Sequence, residues 1–389
     1  MSAVDTQQAI GAGVCAKCGK SITHPGPDGE CVRCLVSFGF LAEDYEVERR
    51  SEGHQARLGP LRYAHFEVQV NPDGYPVILG SGAMAVTYCA RDTVLNSTVA
   101  LKVISRKLAE DPIARARFLR EARAAAQIHH PNVARVIHYG EQDGECFYAM
   151  ELVHGETLEE RVQRHGPLPL SLALEVVEQT ARGLAAGEER GVIHRDLKPS
   201  NLMIESLGSD QLLVKIIDYG IAKVVAAQTE TAYRTRAGFI GTPAFASPEQ
   251  FAETGQQQID TRSDIYSLGI TFWYLLTAQM PFAGRSIEEV RAKQAAPLPL
   301  KQLKSAHVPL ECVTLLKSML AHDPAKRPQT ARELLTKIHR CCVRFEPAAR
   351  RRRKRLVLVS VGLALALAVV LLANFVYQRT ASASELDRA

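Results

Sequence analysis

The sequence lacks a charge excess that is spread along the chain, although its formal net charge is +5. Six of its 47 basic residues are consecutive, at positions 350–355, and the remaining 41 are balanced by 42 acidic residues. A nucleic-acid surface usually requires a distributed basic excess, so no nucleic-acid partner is expected, and the local cluster favours a membrane surface. The sequence also has no internal repeat. Residues 1–14 contain no apolar run after a basic start, so no secretory signal peptide is predicted.

Long uncharged runs are also scarce, and one stands out, at residues 356–377. About 20 helical residues cross ~30 Å of hydrocarbon, so this run predicts a transmembrane helix; a buried core helix is the alternative. The basic segment 346–355 before it should stay in the cytoplasm. We therefore predict a single-pass protein of the cell inner membrane, with its N-terminal part cytoplasmic and a short tail at 378–389. Helix association is a candidate route to a dimer.

Four of the nine cysteines lie close together near the N-terminus, in the pattern C-x2-C-x12-C-x2-C: Cys15, Cys18, Cys31 and Cys34. In a reducing cytosol such pairs indicate metal ligands before disulfides, and four thiolates suit tetrahedral Zn²⁺. A redox-active dithiol is the alternative. The spacing resembles zinc-ribbon modules, so residues 1–40 are predicted to form one, with structural zinc and a surface for a protein partner. The charged, weakly patterned residues 41–63 are predicted to be a linker.

Residues 64–345 are continuous globular sequence whose pattern changes partway. Short β-rich runs (VTYCAR, STVALKVI, CFYAMELV) surround one helical segment, ARARFLREARAAAQI, and helical periodicity dominates after about residue 155. The pattern predicts a small strand-rich lobe followed by a larger helical lobe.

Two features of the strand-rich part point to phosphate chemistry. Gly80 and Gly82 let a backbone approach phosphates closely, although a plain hairpin turn would read the same way. Lys102 lies in the apolar run VALK, where a lysine is costly unless it is paired or functional. Glu121, 19 residues later on the predicted helix, is a candidate partner; a surface lysine at a strand end is the alternative.

The string HRDLKPSN at residues 194–201 carries the strongest signal, together with the apolar strand that ends at Asp218. Phosphoryl transfer needs oxygen donors for Mg²⁺, a carboxylate near the attacking hydroxyl and a cation for the developing charge. Asp196, Lys198, Asn201 and Asp218 supply all of these groups.

In order and rough spacing, VALK, HRDLKPSN, DYG and SPE resemble the protein kinases, most closely the bacterial eukaryotic-like (Hanks-type) serine/threonine kinases. GTPAFASPEQ and DPAKRPQTA strengthen the likeness, which covers residues 64–345. The resemblance implies an α+β, two-lobed kinase fold and an ATP- and Mg²⁺-dependent enzyme that phosphorylates serine or threonine in proteins.

The resemblance also implies a role for each motif residue. Gly80 and Gly82 would cover the ATP phosphates. Lys102 would hold the phosphates and pair with Glu121, Asp196 would accept the substrate proton, and Lys198 would stabilise the transferring group. Asn201 and Asp218 would bind Mg²⁺, and the hinge from Glu151 to Val153, which follows the gatekeeper Met150, would bind adenine. Glu249 and Arg327 would form an anchoring pair, and Asp264 would brace the catalytic loop.

The activation segment would run from Asp218 to Glu249. Autophosphorylation is expected at Thr235 or its neighbours Thr229 and Thr231, while Thr242 is expected to contact Asp196 and Lys198.

Several positions depart from the family pattern. Ala85 replaces the third glycine of the loop, Thr87 replaces the following valine, DYG replaces DFG, and SPE replaces APE. None of these removes a charged catalytic group. Two other functions are weighed against the enzyme: a pseudokinase scaffold, and a kinase acting on small molecules.

Overall fold

The computed structural model describes residues 13–14, 21–22, 61–81, 85–104, 112–207, 211–219, 243–251, 259–284 and 286–345, with backbone alone at 13–14, 21–22, 112–114, 117–118 and 121. Near the N-terminus, strands β1 (Gly13–Val14) and β2 (Ser21–Ile22) pair in antiparallel register. The four clustered cysteines lie outside the described residues. Within the described part of the chain, no helix is long and apolar enough to span a membrane; the run at 356–377 lies outside it.

A seven-stranded antiparallel sheet forms the strand-rich lobe, in the order β3-β4-β6-β7-β9-β8 with β5 paired to β6. Its strands are β3 (Arg62–Tyr63), β4 (Phe66–Val68), β5 (Ile78–Ser81), β6 (Ala85–Asp92), β7 (Ser97–Ile104), β8 (Val136–Gln142) and β9 (Glu145–Glu151). Strands β6, β7 and β9 each contain valine, isoleucine or aromatic residues, which suit a pleated, half-buried surface. Phe66, Leu101 and Phe147 are fully buried in the core of this lobe.

Helix α1 (Pro112–Ala126) interrupts the sheet between β7 and β8. After β9 the chain passes through β10 (Glu156–Thr157) into helix α2 (Leu158–His165). Thr157 caps α2, because its hydroxyl accepts the Glu160 N–H while the Glu160 carboxylate accepts the Thr157 N–H, a reciprocal capping box.

The second lobe is helical, as its periodicity predicts. Its helices are α3 (Leu170–Glu188), α4 (Thr261–Thr277), α5 (Ile287–Ala295), α6 (Leu300–Ser305), α7 (Leu310–Met319) and α8 (Ala331–Phe345). Every residue of α4 from Ser263 to Thr277 is buried, as expected for a helix that lies inside a lobe. The two lobes follow each other as expected from the sequence.

A small antiparallel sheet at the start of the helical lobe positions the catalytic loop. It comprises β10, β11 (Leu202–Ser206) and β12 (Leu212–Ile216). The loop 194–201 ends in a short 3₁₀ turn directly before β11, and Asp218 follows β12. Helix α3 packs closely behind this sheet, since a Cβ on Gly183 would lie 2.7 Å from Ile216 Cδ1. The topology thus brings the two motif segments to the same end of the sheet.

Candidate active site

The catalytic loop is held by a buried aspartate on α4. The backbone N–H groups of His194 and Arg195 donate to the two carboxylate oxygens of Asp264, at 2.7 and 2.8 Å. Burial raises the pKa of Asp264 to about 7, against the opposing effect of these two donors. Arg195 has a φ of 64°, in the left-handed region that is unfavourable for a non-glycine residue. The structure therefore confirms the predicted brace, which holds a strained turn in place.

Asp196, Lys198 and Asn201 converge within this loop. Lys198 Nζ lies 3.3 Å from Asp196 Oδ2, and Asn201 Nδ2 donates to the Asp196 carbonyl oxygen at 2.8 Å. Burial disfavours the Lys198 cation, but the carboxylates of Asp196 and Asp218 outweigh it and raise the pKa of Lys198. Lys198 is therefore a permanent positive charge beside the Asp196 carboxylate.

Two side chains of the strand-rich lobe contact the Asp218 carboxylate. Lys102, which is only 9% exposed, forms an ion pair with Asp218 Oδ2, and the Tyr148 hydroxyl donates to Oδ1 at 2.9 Å. Burial would raise the pKa of Asp218, but the Lys102 charge and the Tyr148 bond keep it below its usual value. Asp218 also has a left-handed φ of 63°. Such strain is common at functional sites, where the surroundings hold the residue.

The predicted partner of Lys102 was Glu121. Glu121 lies on α1, but its side chain is outside the described part of the structure, so that pairing stays a prediction. Asp218 is the partner that the described residues provide. The general expectation that a lysine inside this apolar strand is paired is confirmed.

The hinge follows β9. Met150 is buried at its end, and Val153 is buried two residues beyond Glu151. The Glu151 carboxylate accepts a bond from Lys215 Nζ at 2.6 Å. Sequence reasoning missed Lys215, although it carries the same signal as Lys102, a lysine in an otherwise apolar strand (LLVKI).

The end of the activation segment is anchored by a buried ion pair. Arg327 donates to both oxygens of Glu249, at 2.7 and 2.8 Å, and Ser263 Oγ donates to Glu249 Oε1 at 2.6 Å. Gln250 ties the same turn to the catalytic loop, because its amide donates to the Arg195 carbonyl at 3.0 Å. The predicted Glu249–Arg327 pair is confirmed.

Other expected residues fall partly outside the described structure. Gly80 lies exposed in β5, opposite Thr87 of β6, whereas Gly82 is not described. The threonines at 229, 231, 235 and 242 are also outside. Among the described residues, no group of three or more histidine, cysteine, aspartate or glutamate side chains could hold a metal ion.

A strand-rich lobe and a helical lobe that meet at these residues define the two-lobed protein kinase fold. The protein kinase domain family matches residues 76–338, and the chain belongs to that family.

Named relatives and a solved structure agree with this assignment. Serine/threonine-protein kinase pkn3 of Myxococcus xanthus is 36% identical over 259 residues, which cover 65% of this chain and 47% of pkn3. PknB of Mycobacterium leprae is 37% identical over 272 residues, covering 67% of this chain and 42% of PknB. The chain thus spans less than half the length of these relatives. The crystal structure of the Mycobacterium tuberculosis PknI kinase domain matches with a TM-score of 0.55 and 26% identity, covering 72% of this chain and 98% of that one.

Proposed function

We propose that the chain transfers the γ-phosphoryl group of ATP to serine or threonine hydroxyls of proteins. The observation that carries the proposal is the convergence of Asp196, Lys198 and Asn201 in one loop, with Asp218 paired to Lys102 beside it. The names of the relatives support serine/threonine specificity, as does Lys198 in the D-x-K-P-x-N pattern.

The donor set fits Mg²⁺. The Asn201 amide nitrogen is engaged with the Asp196 carbonyl, which leaves the amide oxygen as its acceptor, and Asp218 stays ionised through its lowered pKa. Oxygen donors of this kind suit Mg²⁺, which would neutralise charge on the ATP phosphates. Asn201 and Asp218 are therefore the residues that would hold it.

The chain's own groups would act as follows. Asp196 orients the substrate hydroxyl and accepts its proton while that oxygen bonds to the γ-phosphorus and the bond to the β-phosphate breaks. Lys198 stabilises the negative charge on the transferring group. Lys102 turns from Asp218 toward the ATP phosphates, and the hinge from Glu151 to Val153 binds adenine through its backbone.

Incubation of the full chain with labelled ATP and Mg²⁺ tests this function. Label on the chain itself, mapped to Thr229, Thr231 or Thr235, is expected because the family resemblance implies a switch there. A folded chain that binds ATP but neither labels itself nor a protein substrate would instead favour the pseudokinase scaffold.

We further propose that the N-terminal cysteines bind structural zinc. Paired strands β1 and β2 lie on either side of the chain segment that carries Cys15 and Cys18, which favours a small hairpin module. Elemental analysis of the purified chain is expected to find one zinc per chain, and Cys15→Ser with Cys18→Ser should remove it. Cys342→Ser, at a half-buried cysteine of α8, is the matched control and should retain zinc. An unmodified chain free of zinc after metal-replete purification would contradict the proposal.

A membrane anchor at residues 356–377 is also proposed, supported by the uncharged run and the basic residues before it. The full chain in a bacterial host is expected to sediment with membranes and to resist extraction by high salt, whereas a chain that ends at residue 345 should be released. Salt extraction of the full chain would indicate surface adsorption in place of a spanning helix. The same basic residues favour the cytoplasmic side of the inner membrane as the location of the kinase domain.

A further inference from the structure

The buried hydroxyl group of Tyr148 contacts Asp218, the carboxylate that is proposed to bind Mg²⁺. Tyr148, on β9, is 1% exposed, and its hydroxyl donates to Asp218 Oδ1 at 2.9 Å. Lys102, on β7, pairs with the other oxygen, Oδ2. The Asp218 carboxylate is thus held at both oxygens by neighbouring strands of one sheet.

A second side-chain contact joins the strand that carries Tyr148 to the strand that leads to Asp218. Glu151 ends β9 and pairs with Lys215 of β12 at 2.6 Å, and Lys215 precedes Asp218 by three residues just as Tyr148 precedes Glu151. Two side-chain contacts with matched spacing therefore connect the strand that leads to the hinge with the strand that leads to Asp218.

A phenylalanine would fill the volume of Tyr148 equally well, so the hydroxyl is the part that needs a reason. A buried hydroxyl is costly unless it is hydrogen-bonded, and here it bonds an ionised oxygen, which makes the stronger type of bond. A neutral donor also leaves the full negative charge on the carboxylate. Each carboxylate oxygen has two lone pairs, so the Tyr148 bond leaves room for a metal ion at Oδ1.

We propose that Tyr148 is a positioning residue that fixes the Asp218 carboxylate for Mg²⁺, an inference that rests on the proposed phosphoryl transfer. When Lys102 turns to the ATP phosphates, its hold on Oδ2 weakens. The Tyr148 hydroxyl then keeps the carboxylate from rotating about its side-chain bonds. The residue acts through Asp218 and does not contact the nucleotide.

The test measures Mg²⁺-dependent nucleotide binding and needs no phosphate transfer. The full chain and its Tyr148→Phe variant are titrated with Mg²⁺ at fixed ADP, and the unfolding midpoint is followed. We expect the Mg²⁺ concentration for half-maximal stabilisation to rise about tenfold in the variant, as suits the loss of one bond to a charged group. ADP binding measured in EDTA should be unchanged.

Tyr219→Phe is the matched control, because Tyr219 directly follows Asp218 in the chain but its hydroxyl donates to the Gly183 carbonyl at 3.0 Å. It should lower the unfolding midpoint without moving the Mg²⁺ requirement. Tyr148→Leu provides a second side chain without a hydroxyl and should reproduce the shift.

An unchanged Mg²⁺ requirement in Tyr148→Phe would overturn the inference, as would an equal shift in Tyr219→Phe or an equal loss of binding in EDTA. These outcomes are separate from the proposed function. A chain that binds Mg²⁺ and ADP as expected but transfers no phosphate would refute the kinase activity and leave the role of Tyr148 intact.

Discussion

Asp196→Asn is expected to reduce phosphate transfer by the full chain about 100- to 10,000-fold, the range typical of a lost general base. Asparagine keeps the size and shape of the side chain, but its amide oxygen does not take up a proton. Asn201 bonds the main-chain carbonyl of residue 196 at 2.8 Å, and that bond survives the change. The loop should therefore keep its shape while losing its proton acceptor.

Nucleotide binding separates loss of chemistry from loss of structure. The pair of Lys102 and Asp218 does not involve the side chain of residue 196, so stabilisation of the variant by ADP and Mg²⁺ should match that of the parent. Asp143→Asn is the matched control, because Asp143 is exposed in the turn between β8 and β9 with a φ of 51°, which asparagine tolerates. An Asp196→Asn variant with transfer within threefold of the parent would rule out Asp196 as the proton acceptor.

The catalytic loop could be predicted because its chemistry is local in sequence. The loop residues Asp196, Lys198 and Asn201 lie within six positions of one another in the sequence. A single turn of the chain therefore brings their side chains together in the structure. Lys102 could be predicted to be buried because it interrupts an apolar strand, and β7 spans the predicted run STVALKVI from Ser97 to Ile104.

Contacts between distant segments could not be predicted in this way. Tyr148 and Asp218 are 70 residues apart, and a tyrosine in the apolar run CFYAMELV reads as ordinary core. The Glu151–Lys215 pair likewise joins residues 64 positions apart. Periodicity indicates that a side chain is buried, but the partner depends on how two strands from different lobes approach each other.

The start of the sheet shows a different limit. Residues 41–63 are charged and weakly patterned, and they were predicted to be a linker, yet β3 begins at Arg62 and Leu61 packs against the core of the sheet. A strand of two residues has too short a pattern for alternation to be seen. Its place is fixed by pairing with β4, which the sequence does not display.

Arg327→Met is expected to lower the free energy of unfolding by about 3–5 kcal/mol, the cost of leaving one buried charge without its partner. The Arg327 and Glu249 side chains are 0% and 3% exposed. The variant strands the Glu249 carboxylate and also removes the Arg327 bonds to the Ala321 and His322 carbonyls. Urea unfolding of the full chain in mild detergent measures the change.

A matched pair and a double variant isolate the charge effect. Arg332→Met breaks an exposed pair with Glu189, whose side chains are 77% and 55% exposed, and should leave the unfolding midpoint unchanged within error. Adding Glu249→Gln to Arg327→Met removes the stranded charge and should recover more than half of the loss. A double variant as unstable as the single one would show that packing, and not charge, sets the effect.

The pH dependence of this pair gives a further check with a definite sign. Burial alone would raise the pKa of Glu249, but Arg327 and Ser263 hold it below its ordinary value of 4.5. A carboxyl group whose pKa is lower in the folded chain stabilises the fold above its unfolded pKa, and that stabilisation is lost as the pH falls through the folded pKa.

In Arg327→Met the Glu249 carboxyl group is buried without a cation, so its pKa should rise, and its protonation at low pH should reduce the loss of stability in the variant. The stability difference between the parent and Arg327→Met should therefore be largest near pH 7 and should narrow as the pH falls below about 5. A difference that stays constant from pH 7 to pH 4 would mean that the loss of Arg327 does not change the protonation of Glu249, which would contradict the expected rise in its pKa.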